Sequence, residues 1–154
     1  YDLINNYACT FLEAGKPKEA IQHYKLLDSL SPDYPGLDYN MALAYQKNGD
    51  IQEALTLYNN FLKRPSQLLR AKALNNLGEC YYAQKNYEKA LAYYVKAVAI
   101  DSSKAIFYNN MGNALFYTGE PQKSISTYRK ALKIDPSNAE AKRNLHLVRK
   151  WSGL

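Results

Sequence analysis

Side chains that commonly carry out catalysis are few in this sequence. It contains two histidines, His23 and His146, and two cysteines, Cys9 and Cys80. The helical pattern described below places Cys9 and His23 on opposite faces of one predicted helix pair, so we do not expect them to act together as nucleophile and base. The sequence has no glycine-rich phosphate loop, no His-Glu-x-x-His motif and no Cys-x-x-Cys motif. We therefore predict no enzymatic activity, no metal site and no cofactor.

A regular series of asparagines is better suited to binding than to catalysis. Its members are Asn6, Asn40, Asn76, Asn110 and Asn144, one in each of five predicted helices. A primary amide has one acceptor and two donors, so it can pair with a peptide backbone whatever the sequence of that peptide. Neighbouring helices lie about 10 Å apart, which is about the length of three residues of an extended chain. This series, called the asparagine ladder below, could therefore hold an extended peptide.

Aromatic residues accumulate towards the C-terminal end of the same helix faces. They are Tyr82, Phe116, Tyr117 and Trp151, with the cation Arg143 beside them. The equivalent positions in the first half hold Leu12, Glu13, Gln46 and Lys47. Because large rigid side chains dominate many interface hot spots, we predict one aromatic hot spot here, bordered by Arg143, Asn110 and Asn144. Tyr39 and Lys72 complete the predicted partner-binding set. The alternative for Trp151 is that it merely covers the end of the last helix pair.

The charge of the chain is positive but unevenly distributed. The formal net charge is +6. Counting Lys and Arg against Asp and Glu gives −2 for residues 1–34, +1 for 35–70, +2 for 71–104 and +5 for 105–154. A basic chain can bind nucleic acid, but here the basic residues form no run, and several lie near helix C-termini, where cations favour the helix dipole. We therefore interpret these basic residues as a solvent-exposed helix face rather than as a nucleic-acid-binding surface. No apolar run approaches the roughly 18 residues of a membrane span, so membrane insertion is not expected.

The sequence repeats itself along its whole length. Tyr24, Tyr58, Tyr94 and Tyr128 are separated by 34, 36 and 34 residues. Small residues keep the same spacing, in the series Ala8, Ala42, Gly78, Gly112 and the series Ala20, Ala54, Ala90, Ser124. Within a repeat, apolar residues recur at helical spacing on both sides of a short polar turn, such as Gln84-Lys85-Asn86. Two helices joined so tightly must pack antiparallel.

Local signals mark where these helices begin and turn. Asp50 with Glu53, and Ser137 with Glu140, have the spacing of capping boxes. Pro17 and Pro121 suit the first position of a helix, where the missing N–H costs nothing. Gly15, Gly49 and Gly119 mark equivalent turns, and Lys85 stands at the same place in the third repeat.

These residues resemble the tetratricopeptide repeat (TPR) family. The closest copy of its pattern is Leu74-x2-Leu77-Gly78-x2-Tyr81 with Ala90-x3-Tyr94. The resemblance implies an all-α fold, a right-handed superhelix of antiparallel helix pairs whose first helices line a concave groove. We expect a single domain over residues 1–154, with units 1–34, 35–68, 71–104 and 105–138 and a C-terminal capping helix, 139–150. Asparagine is common at the ladder position in this family, so a purely structural ladder stays open as an alternative.

The repeat makes three further predictions about packing. Gly78 and Ala90 should lie where the helices of a pair cross, with the repeated tyrosines filling the space between helices. Two extra residues separate the second and third repeats, so Ser66 should cap a lengthened helix with Leu68 or Leu69 packed inward. The capping helix should bury Ala141, Leu145 and Val148 and expose Lys142, His146 and Arg149. Tyr1 already occupies a first helical position, so we expect the parent protein to continue upstream.

We predict a non-enzymatic scaffold that binds a peptide or partner surface in its concave groove. The alternative is a self-assembly module that stacks these arrays into homo-oligomers, since the first repeat is acidic and the last is basic. A basic nucleic-acid-binding surface is a third and less favoured interpretation. The family's carboxylate clamp for chaperone C-terminal tails is not expected, because only Asn40 and Lys72 match it in the first three repeats. The sequence indicates no particular compartment.

Overall fold

The computed structural model describes residues 1–64 and 69–153, and every regular element in that part of the chain is an α-helix. The helices are α1 (Asp2–Glu13), α2 (Pro17–Leu30), α3 (Leu37–Asn48), α4 (Ile51–Lys63), α5 (Arg70–Ala83), α6 (Tyr87–Ile100), α7 (Ala105–Tyr117), α8 (Pro121–Ile134) and α9 (Ala139–Ser152). Among these helices none has both the length and the apolar character needed to cross a membrane. The all-α prediction is confirmed.

The chain divides into two compact units, which we call the N-terminal unit (Tyr1–Ser66) and the C-terminal unit (Gln67–Leu154). In the N-terminal unit α1 packs on α2 and α3 on α4, and α2 and α3 join the two pairs. In the C-terminal unit α5 packs on α6 and α7 on α8, with α6 against α7 and α9 closing against α8. Each unit is therefore built from the helix pairs that the repeat predicted. The single domain over residues 1–154 stays a prediction.

The turns inside the pairs follow the local signals. Pro17 and Pro121 are the first residues of α2 and α8. Gly49 and Gly119 adopt the left-handed backbone, with φ of 91° and 83°, which only glycine enters without steric cost. Lys85 takes the same turn with φ of 60°. The third repeat therefore makes its turn with a residue that carries a steric cost there.

Both predicted capping boxes are wrong. Asp50 precedes α4 but caps no backbone N–H; its carboxylate instead accepts from the side chain of Asn48 at 2.6 Å. Before α9 the cap is Asn138, whose side chain accepts from the backbone of Ala141 at 2.9 Å. Ser137 donates to the carboxylate of Asp135 at 2.6 Å. Asp50 thus bonds a neighbouring side chain, and α9 begins one residue later than the Ser137 box requires.

The repeated tyrosines form the centre of each pair, as predicted. Tyr24, Tyr58, Tyr94 and Tyr128 are at most 2% exposed. A Cβ atom added at Gly78 would lie 2.5 Å from Cε1 of Tyr94. At Gly112 it would lie 2.6 Å from Cε1 of Tyr128. The tyrosine ring thus occupies the space that a side chain at the crossing point would need.

The two extra residues before α5 extend that helix by one residue. Counted by repeat position, α5 would begin at Ala71, as α7 begins at Ala105, and it begins at Arg70. Leu69 is the capping residue, with φ of 65°, and is partly buried. The predicted cap Ser66 and the inward-packing alternative Leu68 lie outside the described residues.

The closing helix α9 has one buried and one exposed face, as predicted. Ala141 and Val148 are 0% and 4% exposed, and Leu145 packs against the same core. The opposite face of α9 carries exposed polar side chains, namely Lys142, His146 and Arg149. The repeat pattern therefore ends in a helix whose outer face is polar.

Candidate partner-binding site

The predicted aromatic residues of the C-terminal unit form one continuous row. The ring of Tyr82 lies 5.8 Å from that of Tyr117, edge to face. Tyr117 lies 5.4 Å from Phe116, and Phe116 lies 5.2 Å from Trp151, also edge to face. Edge-to-face packing of this kind suits the ring quadrupoles and fixes each ring by its neighbours. Three helices, α5, α7 and α9, contribute to the row.

A cleft of about 690 Å³ opens beside this row. It is lined by Tyr82, Asn113, Phe116, Tyr117, Tyr128, Glu140, Asn144, Leu147, Val148, Lys150 and Trp151. The volume falls within the range of ordinary ligand sites, roughly 300–1,000 Å³. Trp151 is 73% exposed and Tyr117 is 55% exposed. We call this cleft the aromatic cleft.

Two tyrosine hydroxyl groups belong to residues that line the aromatic cleft. Tyr128 donates to Oδ1 of Asn113 at 2.5 Å. Burial raises the pKa of Tyr128 to about 12. Burial, followed by the influence of Tyr117, also holds the pKa of Tyr82 well above its ordinary value. Both hydroxyl groups are therefore neutral at physiological pH.

The asparagine ladder of the C-terminal unit is hydrogen-bonded within the fold. Nδ2 of Asn110 donates to Oδ1 of Asn75 at 3.1 Å and to Oε1 of Glu79 at 2.9 Å. Nδ2 of Asn144 donates to Oδ1 of Asn113 at 2.9 Å and, more weakly, to Oδ1 of Asn109 at 3.4 Å. Each amide thus joins its own helix to the preceding first helix. The structural interpretation of the ladder gains support, and peptide binding by the ladder stays a prediction.

The N-terminal unit uses its ladder in the same way. Nδ2 of Asn40 donates to Oδ1 of Asn5 at 3.1 Å, which ties α3 to α1. Asn6 is exposed. Near it, Cys9 is partly buried, and its Sγ lies 3.3 Å from the hydroxyl of Tyr24. The exposed ends of these helices carry Glu13 and Lys47 instead of aromatic rings.

Tyr39 does not lie on an open surface, contrary to its place in the predicted binding set. Its side chain is 8% exposed and packs 5.9 Å from the ring of Tyr58 and 5.6 Å from that of Phe61. The equivalent residues Asn75 and Asn109 are also buried, at 3% and 0%. This helix position therefore faces the interior in three repeats, because it lies between neighbouring helices rather than on their outer face.

The other predicted residues are spread over the C-terminal unit. Lys72 and Arg143 are exposed, Asn76 is partly buried and Asn110 is 9% exposed. Of the residues predicted to border the hot spot, Asn144 lines the aromatic cleft, whereas Asn110 and Arg143 are not among its lining residues. Trp151 contacts Phe116 but stays largely exposed, so it covers little of the last helix pair.

Sequence reasoning missed Tyr87. Its ring stacks on Tyr117 at 4.5 Å with an interplanar angle of 15° and meets Tyr82 edge to face at 5.1 Å. Tyr87 is the first residue of α6, immediately after the turn. Its position in a second helix gave no reason to group it with residues on first helices. The short turn brings it beside the ends of α5 and α7.

His23 and Cys80, two side chains of types that often act in catalysis, are packed against or buried among other side chains. His23 stacks on Phe11 at 5.1 Å, with the rings 9° from parallel. Cys80 is buried, and burial raises the pKa of its thiol to about 12, so it is a poor nucleophile. Within residues 1–64 and 69–153, no group of three or more His, Cys, Asp or Glu side chains could hold a metal ion.

Solved structures similar to this chain share its fold. MamA 41-end from Desulfovibrio magneticus RS-1 is 26% identical, with a TM-score of 0.85, covering 99% of this chain and 85% of that one. YrrB, described as a TPR protein with an unusual peptide-binding site, is 17% identical, with a TM-score of 0.75, covering 97% and 76%. The first TPR of Spaghetti, bound to an HSP90 peptide, is 22% identical, with a TM-score of 0.68, covering 73% and 88%. A search of curated proteins gave no match.

Family models agree with the repeat pattern in the sequence. Three models described as tetratricopeptide repeat match residues 11–64, 39–105 and 105–138. Together they cover the chain from the first helix pair to the last. With the helix pairs and the buried tyrosines already described, these matches show that the chain belongs to the tetratricopeptide repeat family.

Proposed function

We propose that this chain is a non-enzymatic scaffold that holds a segment of a partner protein, with the aromatic cleft of the C-terminal unit as its anchor. The observation that carries the proposal is the cleft itself, about 690 Å³ in volume and bordered by the exposed rings of Tyr117 and Trp151. Large exposed apolar surfaces in water are costly and often mark interaction sites. Tyrosine and tryptophan are also the side chains most enriched in hot spots.

The family assignment supports this proposal at a coarser level. TPR proteins are interaction scaffolds, and similar structures include one with a bound peptide and one described by its peptide-binding site. Those similarities concern the fold alone. The choice of the aromatic cleft rests on the side chains of this chain, and it places the main anchor in the C-terminal unit.

The asparagine ladder has a more limited role in this proposal than the sequence suggested. The Nδ2 donors of Asn110 and Asn144 are already used between helices. Asn144 lines the aromatic cleft, so its carbonyl oxygen is the ladder group placed to meet a backbone N–H of the partner segment. We expect the ladder to fix the spacing of the first helices and the aromatic rings to supply most of the affinity.

The proposal is tested by capturing partners with the wild-type chain and with matched variants. Tyr117→Ala and Trp151→Ala should each weaken binding of the captured partner by about 2 kcal/mol, which is roughly thirtyfold in affinity. Asn6→Ala and Lys47→Ala, exposed positions of the N-terminal unit, serve as controls, with folding checked by circular dichroism. Loss of capture only with the controls would show that the anchor lies in the N-terminal unit.

Self-assembly is the second candidate function, and the distribution of charge favours it. The N-terminal unit has a net charge of −2 and the C-terminal unit a net charge of +8. Oppositely charged surfaces on two copies could therefore attract each other in a head-to-tail contact. Light scattering that rises with concentration and falls with added salt would support assembly over the scaffold proposal.

A further inference from the structure

We infer that the aromatic cleft selects an acidic partner segment, with an aromatic or long aliphatic side chain entering the cleft and carboxylates resting on its cationic edge. This inference rests on the proposed function, and it specifies the chemistry of the partner at the same site. It follows from the distribution of charge around the cleft.

The charge of the C-terminal unit favours an acidic ligand. That unit contains 14 Lys and Arg against six Asp and Glu, a net charge of +8, whereas the N-terminal unit contains six against eight, a net charge of −2. Helix α9 alone carries four cations and one acidic residue, Glu140. A field of one sign raises the local concentration of ligands of the opposite sign and speeds their association.

One cation on α9 lines the cleft, and a second projects from the helix in nearly the same direction. Lys150 is a lining residue, and Arg143 precedes it by seven residues. Seven residues are about two helical turns, so both side chains project within about 20° of the same direction. Both are exposed. Arginine can bind a carboxylate through two parallel N–H donors, which makes Arg143 suited to an acidic residue of the partner.

The remaining cations of α9 provide an internal control. Lys142 and Arg149 are the sequence neighbours of Arg143 and Lys150 and are turned about 100° from them around the helix. They line a separate cavity with His146 and Lys150 and are not lining residues of the aromatic cleft. They contribute equally to the net charge of the helix but not to the edge of the cleft. A substitution that removes charge from either face therefore changes the overall field by the same amount, and only one face changes the local contact.

The competing occupant is a cation. Aromatic rings attract cations through their faces, and Glu140 supplies one carboxylate to the lining. Against this, Lys150 lines the same cleft, and the surrounding unit is strongly basic. A further cation would therefore meet more like charge than opposite charge in this unit.

The test uses three synthetic peptides, acetylated and amidated so that no terminal charge takes part. The first is Asp-Glu-Phe-Leu-Asp-Glu, the second replaces its acidic residues with lysine, and the third keeps them but replaces Phe and Leu with alanine. Trp151 is the single tryptophan of the chain, so its fluorescence reports occupancy of the cleft. We expect the first peptide to bind at least about tenfold more tightly than the other two at low salt.

Matched charge reversals then locate the contact. The charge reversals are measured at about 0.15 M salt, where charges more than roughly 8 Å apart are largely screened. Arg143→Glu with Lys150→Glu should then weaken binding of the acidic peptide about tenfold, whereas Lys142→Glu with Arg149→Glu should change it by no more than about twofold. Equal weakening by the two pairs, or equal binding of the lysine peptide, would overturn the inference. If the acidic and lysine peptides bound equally and both were lost on Tyr117→Ala, the proposed anchor would stand without its acidic preference. Failure of every peptide to change the fluorescence would count against both.

Discussion

The N-terminal and C-terminal units use the same repeat but differ where their paired helices cross. In the N-terminal unit the crossing residues are Ala8 and Ala42, both 0% exposed. In the C-terminal unit they are Gly78 and Gly112, and the ring of the buried tyrosine fills the space of the missing Cβ. The crossing position therefore accepts either glycine or alanine. Alanine fits only where the buried tyrosine of the same repeat leaves space for its methyl group.

The two units also differ at the exposed ends of their first helices. The C-terminal unit carries a row of aromatic rings there. At the same positions the N-terminal unit carries charged and amide side chains such as Glu13 and Lys47. Glu13, Lys47 and Tyr117 are exposed, so their position can diverge without disturbing the helix pairs. The repeat therefore separates residues that maintain the fold from residues free to specify a partner.

The largest expected effect tests the crossing residues. Gly78→Leu should destabilise the C-terminal unit by about 1–3 kcal/mol or more, because the new side chain must displace the buried ring of Tyr94. Hydrogen exchange in α5 and α6, with thermal unfolding, would measure the loss. Lys85→Leu, in the turn of the same repeat, should change stability by less than about 0.5 kcal/mol. Equal losses from both substitutions would show that the assigned repeat positions are wrong.

The next effect concerns the asparagine ladder. Asn110→Ala should cost about 1–3 kcal/mol, since Asn75 and Glu79 would each lose a donor at a mostly buried site. Asn40→Ala in the N-terminal unit should cost about 1 kcal/mol, because its partner Asn5 is more accessible. Chemical denaturation followed by hydrogen exchange would compare them. A larger loss at Asn40 would contradict the proposed difference between the units.

A smaller effect should come from the turn of the third repeat. Lys85→Gly should stabilise the C-terminal unit by about 0.5–1 kcal/mol, because glycine adopts a φ of 60° without the steric cost that lysine bears there. The reverse change in the N-terminal unit, Gly49→Lys, should lower stability by a similar amount. Melting temperatures of the two variants should therefore move in opposite directions, and movement in one direction would refute the backbone argument.

The smallest effect separates the units by the titration of their aspartates. Burial raises the pKa of Asp38 despite its ion pair with Arg64 at 3.1 Å. In the C-terminal unit, the hydroxyl and then the backbone N–H of Ser103 lower the pKa of Asp101. On acidification Asp38 should therefore protonate before Asp101. Carboxyl NMR during a pH titration would measure this order, and Ser103→Ala should move Asp101 back towards its ordinary pKa.

The direction of these shifts fixes their effect on stability. Because the pKa of Asp38 is raised in the folded state, folding binds an extra proton there, and the cost of the buried charge disappears as pH falls through that raised pKa. The contribution of Asp101 is present above its ordinary pKa and is lost as pH falls through the lowered one. Acid should thus remove the destabilising effect of the buried Asp38 charge in the N-terminal unit. In the C-terminal unit it should remove the stabilising hydrogen bonds that Ser103 donates to the Asp101 carboxylate.

The sequence by itself determined the helix pairs, the buried tyrosines and the closing helix. These features depend on periodicity, which is local: apolar residues at helical spacing must share a face, and only a small residue fits beside Tyr94 or Tyr128. The aromatic residues on α5, α7 and α9 could be grouped for the same reason. The family resemblance added the handedness and the groove as expectations.

Only the tertiary structure decided which polar groups met. Asp50 and Ser137 had the right spacing for caps, but Asp50 bonds the side chain of Asn48 and Asn138 caps α9 instead of Ser137. Tyr39 had the spacing of a surface residue but fills a gap beside Phe61, and Tyr87 joined the aromatic row across a turn. Such choices depend on distances between helices and on competition among rotamers. Sequence spacing alone does not contain that information, because it places residues on faces without saying which neighbour each face meets.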